Sequence, residues 1–375
     1  MSTVPTLPGI TSKMVDTKRI KTHVLFSGPD DGIPVLFIHG NAASNTYWEE
    51  IMLKLPDGFR GIAPDLRGYG DTEDKLIDAT RGTHDWVDDL LALLDALDIE
   101  KTHVAGHSMG GAILFGLVGV ASKKFLSVTM VDPSSPYGFG GTKDLDGKPV
   151  YDDFAGSGGG VVNAEFTQLI AAGDRSSDNP QASPRVVMNS FYWKPPFVPA
   201  REEDLLSSLL TEKVGPEKYP GDFVASENWP NVAPGKYGPT NAISPKYVGD
   251  SVDKFIAVEP KPFVLWARGE SDQIVSDNSL FDFGTLGQLG LVPGWPGMDV
   301  YPPQPMVGQI RHVLEQYKDK GGEFEEVVIA DTGHSPYIEK PQEFMAAFSK
   351  ALRLRNNYRP ERNNVQERVM QSKGD

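Results

Sequence analysis

Short, almost wholly apolar runs recur in the first third of the chain and again in its last third. Pro34–Ile38 is apolar at every position, as expected of a central parallel strand covered on both faces. Thr22–Phe26, Gly61–Asp65, Ser127–Val131, Pro262–Ala267 and Glu325–Ala330 read as further strands. Helical periodicity separates them. Tyr47–Leu55, Met306–Tyr317 and Pro341–Leu352 have helical patterns, and Thr83–Leu97 places Trp86, Leu90, Leu91, Leu94 and Leu97 on one face. Asp85, Asp88 and Asp89 stand near the start of that helix, where its dipole favours anions. Strands alternating with helices predict an α/β fold, a mostly parallel central sheet with helices on both faces.

The alternation stops at residue 136 and resumes near 261. The stretch between is rich in Gly, Pro, Ser and Asn, with helical candidates at Val162–Ala171 and Arg201–Leu210. A stretch this long without the strand–helix rhythm reads as an inserted domain rather than a loop. The expected organisation is a core of residues 1–135 and 261–355, a cap insertion at 136–260, a second insertion at 280–305 and a polar tail at 356–375. The insert's aromatics, among them Phe191, Tyr192, Trp193, Phe197, Tyr219, Phe223 and Trp229, either line an apolar pocket or form the insert's own core.

Composition narrows the classes. The 375 residues are 39% hydrophobic and 23% charged, as in a globular protein with a sizeable core. A formal charge of −15 argues against nucleic acid or an anionic membrane as partner. With no cysteine there is no disulfide, thiolate nucleophile or cysteine metal site. Met1–Thr22 has no apolar h-region, and the longest apolar stretch, Ala112–Ala121, is too short to span a bilayer; a cytoplasmic location is the resulting expectation. Oligomeric state is left open.

The chemistry centres on Gly106-His107-Ser108-Met109-Gly110, set between a strand-like and a helix-like run. That is the context of a nucleophile elbow, a strand-to-helix turn so sharp that glycine is needed two positions before and two after the serine. A serine hydroxyl needs a general base, and the base needs an acid to fix its tautomer. Of seven histidines, only His334 follows a late strand inside a loop, so it is the expected base. His39 is expected to shape the loop after its strand, and His107 to be held beside the turn. Two acids are candidates. Asp272 follows the Pro262–Ala267 strand by a short loop and is favoured; Asp132 ends the strand after the elbow helix and precedes a proline, which suits a turn former. Asp331 adjoins His334 in sequence, which rarely sets a carboxylate against the imidazole. The oxyanion donors expected are the N–H of Met109, at the helix N-terminus, and that of Asn41, with Ala42 next. Asp65-Leu66-Arg67-Gly68-Tyr69-Gly70-Asp71 reads as a loop fixed by arginine–carboxylate hydrogen bonds. Gly147-Lys148-Pro149 lacks the Ser or Thr of a phosphate loop, and no His, Asp or Glu cluster has metal-ligand spacing, so neither cofactor nor metal is implied.

Together with His39-Gly40-Asn41, Gly269-Glu270-Ser271-Asp272 and Gly333-His334-Ser335-Pro336, these motifs make the chain resemble the α/β-hydrolase superfamily over Pro34–Asp132 and Pro262–Leu352. The resemblance implies an α/β-hydrolase fold with a cap and a Ser/Asp/His triad. His39-Gly40-Asn41 to Tyr47-Trp48 also resembles the haloalkane dehalogenase and epoxide hydrolase branch, whose nucleophile is Asp; Ser108 here points instead to acyl transfer. Some relatives, such as fungal-toxin lactonases, take their acid after the earlier strand, which keeps Asp132 in play. The expected function is hydrolysis of a small-molecule carboxylic ester or lactone through an acyl-enzyme. The rivals are an amidase, peptidase or C–C hydrolase with the same triad, or a ligand-binding protein that kept the fold without turnover.

Overall fold

A computed structural model describes residues 2–354; the polar tail expected at 356–375 lies outside the described residues. Eight strands, numbered in chain order, form one sheet: β1 Thr11–Asp16, β2 Lys21–Ser27, β3 Ile33–Ile38, β4 Phe59–Pro64, β5 Thr102–His107, β6 Phe125–Val131, β7 Phe263–Gly269 and β8 Phe324–Ile329. Their spatial order is β1-β2-β4-β3-β5-β6-β7-β8. Strands β3 to β8 are mutually parallel, while at one edge β2 runs antiparallel to both β4 and β1.

The apolar runs form strands because both faces are covered, and successive side chains supply opposite layers. Leu36, Ile38, Val104, Val264 and Trp266 face one core. The helices His84–Ala96, Met109–Ala121, Ser251–Ala257 and Met306–Asp319 close it with side chains such as Trp86, Leu114, Phe255 and Ile310. Val35, Phe37, Ala105, Leu265 and Ala267 face the other, under Trp48 and the helix Pro341–Leu354. Phe37 sits between the rings of Trp48 and Phe348, at centroid distances of 5.0 and 5.9 Å. Burying one such ring contributes about 1.5–3 kcal/mol.

Register decides where the site forms. Ile38 pairs with Gly106, His107 with Val131, Val131 with Ala267, and Gly269 with Ile329. The parallel strands therefore end at one level, and the loops that follow them share one rim.

Between β6 and β7 the chain leaves the sheet. This excursion holds the helices Ala164–Ala171 and Glu202–Leu209 and several two-stranded ladders. Its final helix, Ser251–Ala257, packs on the elbow helix, Phe255 against Phe115 at 5.0 Å, and so shares the core layer although the expected cap boundary at 260 encloses it. The 280–305 stretch carries the short helix Phe283–Gln288 and packs on the cap: Trp229 meets Tyr301 and Phe283 at 4.9 and 5.8 Å and donates to the Pro293 carbonyl at 2.8 Å. Tyr47–Leu55, expected as one helix, is a 3₁₀ turn at Asn45–Trp48 followed by a single α turn, Glu49–Met52. Among the described residues no helix is long and apolar enough to cross a membrane.

Candidate active site

Ser108 follows β5 directly and has φ 55°, ψ −117°, a left-handed conformation that a non-glycine residue rarely adopts. The surroundings over-determine it. The Ser108 N–H donates to the Val131 carbonyl at 2.9 Å, and its own carbonyl accepts from Ala112 and Ser134, both at 3.1 Å. A Cβ on Gly106 would lie 2.5 Å from the Gly110 carbonyl oxygen, and one on Gly110 2.5 Å from that of Ile38, so the elbow packs against β3 only with glycine at both places.

Asp272 and His334, from the loops after β7 and β8, meet below the cap. His334 Nδ1 donates to Asp272 Oδ2 at 2.8 Å, and both side chains are buried. The other carboxylate oxygen caps its own turn, accepting from the N–H groups of Ile274 at 2.7 Å and Val275 at 3.2 Å. The two loops touch so closely that a Cβ on Gly269 would lie 1.8 Å from the Gly333 carbonyl oxygen. Ser108 and His334 line one cavity, without a direct hydrogen bond between hydroxyl and ring in this geometry. Such bonds are often long before substrate binds.

Asp132, the other candidate acid, stands behind this pair. One ring nitrogen or carboxyl oxygen from each of Asp132, Asp272 and His334 lies within 4.8 Å of the other two. Asp132 accepts from the Gly269 N–H at 3.0 Å. Burial, then the charge of Asp272 and a hydrogen bond with it, push the Asp132 carboxyl well above the usual carboxylate range. Asp132 thus favours its protonated form and donates toward Asp272, leaving Asp272 as the hydrogen-bonded partner of His334. Asp331 is exposed and ion-paired with Lys194.

The loop after β3 is locked by His39. Its Nδ1–H donates to the Gly40 carbonyl at 2.8 Å and its Nε2 accepts from the Leu66 N–H at 3.0 Å, which specifies the neutral ring; burial lowers its pKa against the pull of Asp65. The next residue, Asn41, lines the cavity together with Ala42, Ser108 and Met109. Tyr69 was not singled out by the sequence, yet its hydroxyl donates to Asn41 Oδ1 at 2.7 Å and lies 3.4 Å from Met109 Sδ, bridging the two candidate oxyanion residues. His107 also has a defined task. Its Nε2–H donates to the His334 carbonyl at 2.7 Å, and burial, then the neighbouring His334, push its pKa well below the usual range. A neutral His107 thereby ties the elbow to the base-bearing loop.

The loop from Asp65 is fixed by two networks rather than one. Asp65 accepts from the His23 ring at 2.6 Å, from Asn45 N–H at 2.9 Å and from Asp71 N–H at 2.9 Å. Arg67 instead makes a bidentate pair with Asp89 of the His84–Ala96 helix, at 2.7 and 2.9 Å.

Above Ser108 opens a cavity of about 380 Å³. The core contributes Asn41, Ala42, Tyr47, Ser108, Met109 and His334; the cap contributes Phe166, Val187, Phe191, Tyr192 and Tyr219; the 280–305 stretch contributes Leu280, Phe281, Phe283 and Leu286. The expected aromatics thus divide. Phe191, Tyr192 and Tyr219 line the cavity, whereas Trp193 is buried in the packing and Phe223 is exposed.

Residues 35–347 match the model of the alpha/beta hydrolase family. A 2-hydroxymuconate semialdehyde hydrolase from Pseudomonas sp. (strain CF600) is 38% identical over 101 residues, 26% of this chain and 35% of that protein. Epoxide hydrolase 2 from Siraitia grosvenorii is 39% identical over 97 residues, 26% of this chain and 30% of that protein. The uncharacterized carboxylesterase nap of Bacillus subtilis (strain 168) is 29% identical over 124 residues, 33% of this chain and 41% of that protein. The chain thus spans only 30% to 41% of the length of these relatives. Among solved structures, a 2-hydroxy-6-oxo-6-phenylhexa-2,4-dienoate hydrolase from Rhodococcus sp. strain RHA1 superposes with TM-score 0.56 at 17% identity, over 92% of this chain and 99% of that one. A thermophilic esterase from Thermogutta terrifontis does so with TM-score 0.53 at 19% identity, over 92% and 99%. With the family's pattern matched across most of its length and the same fold in solved hydrolases, the chain belongs to the alpha/beta hydrolase family.

Proposed function

We propose that the protein is a serine hydrolase of carboxylic esters or lactones. The observation that carries this reading is the 2.8 Å bond from His334 Nδ1 to Asp272, which leaves the opposite ring nitrogen free to accept a proton beside the strained Ser108. Ser108 Oγ attacks the carbonyl carbon as His334 Nε2 takes its proton, and the negative charge gathers on the carbonyl oxygen. The N–H of Met109, one of the donors a helix start leaves unused, and that of Asn41 hold this oxyanion. Collapse expels the alcohol, which takes the proton from His334. A water, deprotonated by the same ring, then attacks the acyl-enzyme and releases the acid and free Ser108.

The test compares wild type with Ser108→Ala on 4-nitrophenyl butyrate, alongside labelling with a fluorophosphonate and mass mapping of the adduct. Loss of at least 10³-fold in kcat, with the adduct on Ser108, is expected. Equal rates in pure samples, or no adduct on a folded wild-type protein, would refute the assignment; the second result would favour the binding-protein reading.

A further inference from the structure

The cavity above Ser108 is unusual in what its wall leaves out. Among the described residues that line it there is no Asp, Glu, Lys or Arg. Phe139, Phe166, Phe191, Phe281 and Phe283 supply much of its surface. Phe191 of the cap meets Phe281 of the second insertion edge to face at 5.1 Å, so the two insertions close one apolar chamber. Only Asn163 and Gln181 among the lining residues are exposed, and they mark its mouth.

Several cations of the cap are already occupied. Arg185 pairs with Glu202 and Glu203, Arg201 with Glu49 and Asp204, and Lys194 with Asp331. Lys213 donates to the Thr72 carbonyl at 2.8 Å. Of the histidines that touch the cavity, His107 is held neutral by its burial. Beside Tyr192 and Tyr219 lies a buried acid, Glu212. Burial raises its pKa well above the usual range, against the opposing pull of Lys213 and of backbone N–H donors, which disfavours its charged form. A substrate carboxylate would lose its water there and find no cation, and an ammonium would find only ring faces. The overall charge of −15 further disfavours the approach of an anion.

We propose that the substrate is an uncharged ester or lactone whose apolar limb fills this chamber, and that charge of either sign on that limb is rejected. This rests on the hydrolase reading above and narrows it. It also separates this chain from a relative whose name denotes a carboxylate-bearing substrate, the 2-hydroxymuconate semialdehyde hydrolase.

Three 4-nitrophenyl esters of matched main-chain length test it: the hexanoate, the monoester of adipic acid and the 4-(trimethylammonio)butanoate. Each kcat/KM is divided by the ester's own hydroxide-catalysed rate. The expected order places the carboxylate ester at least 100-fold, and the ammonium ester at least 10-fold, below the neutral one. A carboxylate ester within threefold of the neutral ester, or a preference for the ammonium ester, would overturn the proposal. Val187→Lys, which sets a cation on the cap side of the chamber, should raise the carboxylate-to-neutral ratio at least tenfold in a protein that keeps its circular dichroism. An unchanged ratio would mean that the ester's limb lies elsewhere and would overturn it too. If none of the three esters is hydrolysed, the hydrolase reading fails by itself. Calorimetric titration of Ser108→Ala with ethyl hexanoate and with monoethyl adipate then decides this inference: selective binding of the neutral ester supports it, and equal or no binding sinks it.

Discussion

Replacing Asp272 by Asn tests the division of labour between the two buried acids. The amide oxygen can keep accepting from the Ile274 and Val275 N–H groups, so the turn survives. The amide nitrogen then faces His334 Nδ1, where the carboxylate oxygen stood at 2.8 Å. A donor there selects the tautomer with its proton on Nε2, which cannot take the proton of Ser108. The corresponding change in a serine protease lowers kcat about 10⁴-fold, and a loss of ~10²–10⁴-fold is expected here. Asp132→Asn should behave differently. Its amide oxygen still accepts from Gly269 N–H, and its amide nitrogen replaces the acid hydroxyl as donor toward Asp272. Its kcat/KM should stay within about threefold of wild type, since one neutral donor replaces another. The single Asp272→Asn variant should also keep a residual rate. Removing the Asp272 charge removes part of what raises the Asp132 pKa, with burial remaining, so Asp132 ionises more readily within 4.8 Å of the imidazole. That residual rate should climb with pH and fall about tenfold further in the double variant, the order of a general-base contribution that is already impaired. The assay is steady-state hydrolysis of 4-nitrophenyl butyrate from pH 5 to 9, with thermal melts to confirm folding. A severe loss in Asp132→Asn beside a nearly intact Asp272→Asn would refute the reasoning.

Tyr69→Phe removes the hydroxyl that holds Asn41 Oδ1 at 2.7 Å. Loss of one such bond corresponds to about 0.5–1.5 kcal/mol, and kcat should fall roughly 3- to 10-fold with KM little changed; an unchanged kcat would show that this bridge does not orient the oxyanion loop. His107→Leu deletes the donor to the His334 carbonyl, and an unsatisfied buried carbonyl costs about 1–3 kcal/mol, so both the melting temperature and kcat should drop. A lower melting temperature with full kcat would limit His107 to stability. His103, bonded to Ser127 Oγ at 2.7 Å, has its pKa lowered by burial from 6.5 to about 4. Its neutral form is favoured in the folded state, so its contribution is fully present above pH 6.5 and is lost as pH falls toward 4. The loss amounts to about 3 kcal/mol over that range, and His103→Gln should flatten the fall in unfolding free energy, measured by urea titration, by that much; an identical pH profile in the variant would refute the assignment.

The central strands were legible because burial on both faces leaves a continuous apolar run, and β3 and β7 show it most clearly. Strand β1 was not, because it lies at the edge with mostly exposed side chains and pairs only with β2. Ser108, His334 and Asp272 were legible as neighbours at one rim of the sheet because each follows a strand end, a positional rule that reads directly from sequence. What escaped depends on sheet order. β6 and β7 are adjacent in the sheet yet separated by the whole cap, so the approach of Asp132 to Asp272 has no local signature. Arg67 signalled a carboxylate partner, but only the packing of the His84–Ala96 helix identifies Asp89. The bridge from Tyr69 to Asn41 was invisible for the same reason: it joins two loops whose separation along the chain says nothing of their contact. The core-layer helix Ser251–Ala257 falls within the expected cap bounds because the residues before it carry the cap's Gly- and Pro-rich composition.

The two carboxyl groups beside one imidazole also bear on how such enzymes change over generations. A protein with an acid at only one strand end needs a further substitution to supply a second acid before the first can be lost without leaving the imidazole unpartnered. Here β6 and β7 each present one to the same ring, and burial, then the charge of its neighbour, raises the pKa of the spare. On the proposed triad, mutation of the working partner removes that charge and eases ionisation of the spare, so descent can shift this role between strands through a weakened rather than an inert ancestor.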